Sequence, residues 1–279
     1  MKPLKAPLEA GRTLEGAWNH YQVESAIARR LMQADREERK RIFATMYDEL
    51  FAAVPDHPRL TRREDPSRTA AANRHKLRSF GPFVRADDVV VEFAPGDCEF
   101  SAALAPKVRK IIGVDISDQR KAGKSWPANF ELVIYDGYAL PQIAPGSVDV
   151  VFSDQFLEHL HPDDAEAHLA LVNRILKPGG RYVIATPHAQ SGPWDVSRHF
   201  SDVAEGFHLK EWTYTELAAT LRRLGYSGVE PIWSKRGITL HVPLAFYRGV
   251  ETLAPRIGKK AFRRVAKYVA PMVFCVAKK

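Results

Sequence analysis

The chain has 279 residues, 45% of them hydrophobic and 27% charged, values ordinary for a globular protein of one large domain or one domain with an extension. Cys98 and Cys275 lie far apart and suggest no disulfide framework, and no apolar run is long enough to span a bilayer. Met1 to Pro7 lacks the apolar core of a signal peptide, so the expected compartment is a reducing cytoplasm. The net charge of +8 is unevenly placed. From Lys235 to Lys279 there are eleven Lys or Arg against one acid, Glu251, so this tail carries +10 and the rest of the chain −2. An anionic partner is therefore expected at the tail.

Met1 to Gly16 contains Pro and Gly and is expected to be loose. Trp18, Tyr21, Ser25, Ala28 and Met32 then step by three and four residues along one helical face. Asp35 and Glu38 form a pattern like a capping box, opening a second helix with a stripe from Ile42 to Phe51. Val54 to Glu64 is a connection. Asp65-Pro66 reads as an N-cap and first-turn proline of a helix running to about Phe80, where Gly81-Pro82 ends it. These helices read either as a lid, with Tyr21 and Tyr47 facing a site, or as plain packing against a sheet edge.

From Asp88 the pattern changes to short apolar runs separated by turns. Val89-Val-Val-Glu92-Phe is a buried strand, Pro95-Gly96 a tight turn, and Phe100, Leu104, Ala105 and Val108 recur at helical spacing. Strand, glycine turn and helix aim a helix N-terminus at a ligand. A second strand, Ile111 to Val114, ends in Asp115 at about the 20-residue spacing of an acid that grips ribose hydroxyls. Glu131 to Asp136 is a third strand, followed by Gly137. Val148 to Asp154 is the fourth, followed by Gln155-Phe-Leu-Glu158-His159-Leu160. Pro162 opens a helix that stops at Lys177-Pro-Gly-Gly180, and Arg181 to Thr186 is the fifth strand. Pro187 to Lys210 is a long irregular segment, the kind of loop that tends to be functional. Trp212-Thr213-x-x-Glu216-Leu217 combines a capping box with a hydrophobic staple. Gly228 to Trp233 and Met272 to Ala277 read as strands six and seven.

Glu92 is costly inside an apolar strand unless it is paired. An acid opening a glycine loop resembles motif I of the class I S-adenosylmethionine-dependent methyltransferases. The chain matches that motif at Glu92 and Gly96 and departs from it at Ala94 and Cys98, where small residues replace glycine. The Leu-Glu-His-Leu run and the helix, Leu-Lys-Pro-Gly-Gly, strand succession resemble the same family. The resemblance implies an α/β fold with a seven-stranded Rossmann-like sheet, mostly parallel with the last strand antiparallel. It also implies a helical extension or lid over residues 1–87 and a methyltransferase domain over 88–279, with an insertion over 234–271. The implied cofactor is S-adenosylmethionine, held by Glu92, Ala94, Pro95, Gly96, Asp97, Asp115, Ile116, Asp136, Gly137, Asp154 and Gln155.

A sulfonium methyl is a strong electrophile, so alignment supplies much of the rate and no fixed catalytic triad is required. A hydroxyl acceptor needs a base. His159, His161, His188, His199 and His208 border the expected acceptor site, with His188 and His208 preferred as bases. No metal site is expected, since His188, His199, Asp202 and His208 match no ligand spacing. The expected activity is methyl transfer to a small-molecule or sugar-like acceptor, by O- or N-methylation. RNA or lipid-linked acceptors, a silent cofactor-binding protein and a nicotinamide-dependent oxidoreductase are the alternatives. Nucleic acid is not expected as a partner, for no RNA-binding module or base-amine motif is visible. A basic amphipathic helix opened by Pro255 and closed by Pro271 is expected to offer Arg256, Lys259, Lys260, Arg263, Arg264 and Lys267 to an anionic acceptor or membrane surface, or simply to solvent.

Overall fold

A computed structural model describes residues 2–63, 66–235, 238–270 and 272–279. Helices α1 (Leu14–Gln33), α2 (Arg36–Ala53), α3 (Pro58–Arg63) and α4 (Pro66–Phe80) precede the sheet. Thr13 caps α1 by accepting from Gly16 N, and Asp35 caps α2 by accepting from Glu38 N. Asp65 and Pro271, read as a helix cap and a helix stop, lie outside the described residues.

The core alternates β1 (Val89–Phe93), α5 (Glu99–Leu104), β2 (Lys110–Asp115), β3 (Phe130–Ile134), β4 (Val148–Asp154), α6 (Pro162–Ile175) and β5 (Leu176–Pro187). After it come α7 (Tyr214–Arg223), β6 (Gly228–Lys235), β7 (Ile238–His241), α8 (Leu244–Ile257), α9 (Lys259–Val269) and β8 (Met272–Lys278). The sheet order is β3-β2-β1-β4-β5-β8-β6-β7. Strands β1 to β5 pair in parallel, and β8 inserts antiparallel between β5 and β6. This is the expected mixed sheet with one strand more. Edge strand β7 pairs antiparallel with the end of β6 inside the segment read as an insertion.

Alternate residues of the buried strands feed two cores, as their period of two requires. One core joins Val91, Val151, Tyr182 and Ile184 to α6 and α7 through Leu169, Val172, Leu217 and Leu221. The other joins Val90, Val150, Phe152 and Val183 to Phe80 of α4 and Phe100 and Leu104 of α5. The capping box of α7 forms as read, with Thr213 and Glu216 bonding reciprocally.

Helices α1 and α2 pack on each other through Ile27, Leu31, Ile42, Met46 and Leu50, and Phe207 of the long loop after β5 joins this cluster. Arg39 of α2 pins the layer down. Its guanidinium donates two bonds, of 2.6 and 2.7 Å, to Asp164 in the first turn of α6, and both side chains are buried. Tyr21 does not face a cleft: it packs on Trp18 and Phe200 and donates to Glu205. Tyr47 lies against Phe207, with the Arg59 guanidinium 4.7 Å from its ring centre.

The tail departs from its sequence reading. Pro255 does not open a helix but lies inside α8, and α9 starts after Gly258. Phe262 and Ala266 of α9 pack on Ala254 of α8, while Val265, Tyr268 and Ile257 remain exposed. Arg264 is exposed, and the side chains of Lys259, Lys260 and Lys267 are outside the description. Among the described residues, no helix is long and apolar enough to cross a membrane.

Candidate functional site

Parallel strands deliver their carboxyl ends to one edge of the sheet, and ligands bind there in open α/β folds. At the end of β1 the chain turns through Ala94 (φ 54°), Gly96 (φ 59°) and Cys98 (φ 60°). Ala94 and Cys98 thus adopt the left-handed backbone of the glycines they replace, a conformation that costs L-residues about 1–2 kcal/mol. A Cβ placed on Gly96 would meet no protein atom within 4 Å, so the loop backbone there is open to an approaching group. Pro95 is buried over Gly113 of β2, where a Cβ would come within 3.0 Å of Pro95 Cγ. Gly113 is a requirement that the sequence reading missed; its signal was a glycine inside an apolar strand.

Asp115 closes this loop from the next strand. Its Oδ2 accepts from Gly96 N at 3.1 Å, and its Oδ1 accepts from Ile116 N at 2.8 Å and Ser117 N at 3.3 Å. Burial pushes its carboxyl up, against the pull of those three bonds. A carboxylate offers about four acceptor sites, so Oδ2 retains one for a ligand hydroxyl. Ile116 is an exposed apolar side chain directly beyond it, and Asp97 accepts from Glu99 N at the start of α5. An open loop backbone, a carboxylate with spare capacity and an exposed apolar face fit the nucleoside half of S-adenosylmethionine.

Glu92 is buried and takes the hydroxyl of Ser101. Burial raises its pKa, with Lys76 and Ser101 acting in opposition. Lys76 of α4, absent from the sequence reading, bridges to Asp154 at 3.1 Å. Burial works against its ammonium, and Asp154 and Glu92 outweigh that, so its pKa is raised. A concave cleft between α4 and the ends of β4 to β6 is lined by Lys76, Phe80, Asp154, Ala185, Trp233 and Tyr247. Gln155 follows with φ 55° and donates its N–H to Ala185 O. Asp136 caps its own turn through Tyr138 N and Ala139 N and bridges to Lys40 of α2 at 3.0 Å, and left-handed Gly137 follows it. The Ala139 bond leads the effects that hold Asp136 down to about 2.

The histidines separate. His188 is completely buried, with Nε2 3.0 Å from Glu251 Oε1 and Nδ1 accepting from Gln190 N. Glu251 of α8 also accepts from Tyr214 N and Thr215 N, so it caps α7 from 36 and 37 residues away. His188 is thereby engaged in packing, without an exposed nitrogen for an acceptor. His199 is buried against Glu9 and Ala6, Asp202 bridges to Lys5 and Arg263, and His161 caps α6. These residues are not brought together with His208. His208 instead stacks edge-on against His159 beside Glu158, with ring centres 5.1 Å apart. Its pKa is raised: burial lowers it, and Glu211 and Glu158 more than offset that.

Residues 91–184 match the family model for a methyltransferase domain. An uncharacterised 37.1 kDa protein of a Streptomyces fradiae transposon is 37% identical over 90 residues, 30% of this chain and 25% of that protein. The chain thus spans a quarter of that relative's length. Its fold is similar to an S-adenosylmethionine-dependent methyltransferase from Archaeoglobus fulgidus (TM-score 0.51, 20% identity, 74% of this chain and 92% of that one). It is also similar to the Burkholderia thailandensis 1,6-didemethyltoxoflavin-N1-methyltransferase (TM-score 0.50, 17% identity, 99% and 93%). At these identities the likeness is one of fold. The Glu92 to Cys98 loop and its Asp115 clasp lie within the residues that match the methyltransferase domain model.

Proposed function

We propose that the chain transfers a methyl group from S-adenosylmethionine to a small-molecule or sugar-like acceptor, at oxygen or nitrogen. The observation that carries this reading is the clasp of Gly96 N–H on Asp115 Oδ2 at 3.1 Å, beside a loop held in left-handed backbone at three positions. Strained backbone of this kind persists where surrounding structure over-determines it, and it clusters at ligand sites. S-adenosylmethionine held by the Ala94 to Cys98 loop and Asp115 would supply an electrophilic sulfonium methyl.

The chain's own residues do the positioning. Asp115 offers its remaining lone pair to ribose hydroxyls, Ile116 covers an apolar face, and Asp136 closes the turn at the adenine end. Glu92 and Ser101 fix the helix that follows the loop. In this reading α1 to α3 act as a roof over the acceptor. Arg59 of α3 supports that role, since its charge reaches both Asp115 and His159. The long loop after β5 and the segment 234–271 set acceptor specificity.

Calorimetric titration tests the reading. S-adenosylhomocysteine is expected to bind and nicotinamide dinucleotides are not. Asp115→Ala should weaken binding by about 1–3 kcal/mol through lost hydrogen bonds to a charged acceptor. Absence of binding in the parent protein would end the methyltransferase reading. Normal affinity in the variant would remove Asp115 from the ribose.

A further inference from the structure

Just beyond the end of β4 lies a cluster that the cofactor reading does not use. Glu158, His159 and His208 each offer one ligand atom, and these atoms lie within 4.8 Å of one another. The Glu158 side chain is fully buried. Its Oε2 accepts from Thr186 Oγ1 at 2.9 Å, while its Oε1 has no hydrogen-bond partner and lies 4.0 Å from His159 Nε2. A buried carboxylate oxygen left unmatched is expensive, so each such atom calls for an explanation.

The two imidazoles are oriented from behind. His159 Nδ1 lies 2.9 Å from Phe207 O, and a carbonyl can only accept. Nδ1 therefore carries the proton and Nε2 keeps its lone pair. His208 Nδ1 lies 2.9 Å from Glu211 Oε1, a carboxylate oxygen, so Nδ1 carries a proton and Nε2 is the nitrogen that a cation would take by displacing its proton. An Nδ1–H tied to a carbonyl or carboxylate is the usual support of a metal-ligating histidine. Glu24 acts on His159, and Asp195 and Glu211 act on His208, while among the described residues the Arg59 guanidinium is the one cation reaching His159 other than His208 itself. The His159 side chain keeps 27% exposure, which leaves an entry path. The other histidine–carboxylate group differs. His20 already spends both nitrogens, one on Arg12 and one on Glu24, and needs no ion.

We propose that Glu158, His159 and His208 bind one divalent transition-metal cation of the zinc, iron(II), cobalt(II) or manganese(II) class. Two imidazoles and one carboxylate suit these ions, and three protein ligands leave positions open. Binding requires the ligand atoms to draw in to roughly 3.4 Å from one another, given metal–ligand distances near 2.1 Å. Resting on the methyltransferase reading, the cation holds an acceptor that presents an oxygen ligand, such as an alcohol, enol or phenol. The acceptor O–H breaks, its proton leaves to solvent, and the oxygen keeps the electron pair against the metal. His208 then serves as a ligand rather than as a free base.

The test is calorimetry on the full chain, freed of metal by a chelator and titrated with zinc, cobalt(II) or manganese(II) chloride. One equivalent is expected to bind, with a visible ligand-field band for cobalt(II). Glu158→Gln, His159→Ala and His208→Ala should each weaken binding by about 100-fold or more, while S-adenosylhomocysteine affinity stays unchanged. Should Glu158→Gln fail to fold, His159→Ala carries the test, because its ring is partly exposed. No uptake at millimolar cation, or uptake indifferent to all the variants that fold, overturns the site. Cation uptake without S-adenosylhomocysteine binding overturns the methyltransferase reading instead, and the reverse result overturns only the metal.

Discussion

The two ends of the sheet's ligand edge are built differently. At β1 and β2 the site is backbone: three left-handed residues, an open loop and a carboxylate gripped by three N–H groups within about 20 residues of chain. At β4 and β5 it is side chains gathered from distant elements. Glu158, Thr186, His208 and Glu24 come from the exit of β4, the end of β5, the long loop and α1, and Arg39 of α2 fastens the N-terminal helical layer to α6. A backbone-built site yields only to changes in permitted φ. A side-chain-built site yields to single truncations far from the chemistry.

The largest expected effect follows on the side-chain end. Arg39→Ala leaves Asp164 buried without its cation, and removing one member of a buried pair typically costs about 3–5 kcal/mol. Chemical denaturation should show that loss, and a loss under 1 kcal/mol would mean that the N-terminal helical layer is held by its apolar cluster alone. An intermediate effect is expected on the backbone end. Gly96→Val forces a β-branched residue to φ 59°, a strain of about 1–3 kcal/mol, and places methyls on the open face of the loop. S-adenosylhomocysteine affinity should fall by tenfold or more; a variant that binds normally would make the turn purely structural. The smallest effect has the opposite sign. Ala94→Gly relieves a left-handed Ala at an exposed position, and after glycine's entropic cost the gain is about 0.5–1 kcal/mol. A lower melting temperature would show that the Ala94 methyl makes a contact worth more than its strain.

Much of the backbone-built end was legible in the chain. Short β-branched runs, turn glycines and strand-end acids are local signals, and a strand–turn–helix unit places its own residues with little help from elsewhere. The seven expected strands and the α7 capping box formed as read for that reason. The eighth strand escaped notice because Ile238 to His241 is short and lies on an edge, with only β6 to define it. Pro255 misled because proline suits a first helical turn, yet α8 carries it near its last turn.

What tertiary structure alone decided is the fate of each ionisable side chain. His188 and His208 look alike in sequence, each in a loop after β5. One is sealed against Glu251, which arrives from α8, and the other faces Glu158 with its Nε2 free of any described bond from behind. Lys76 and Glu92 are sixteen positions apart with a helix end between them, and only packing of α4 on the sheet edge brings their charges together. Sequence patterns register period and local turn chemistry, which set element type. Burial and charge pairing arise between elements, at separations no local pattern encodes, and those decide how each histidine is held.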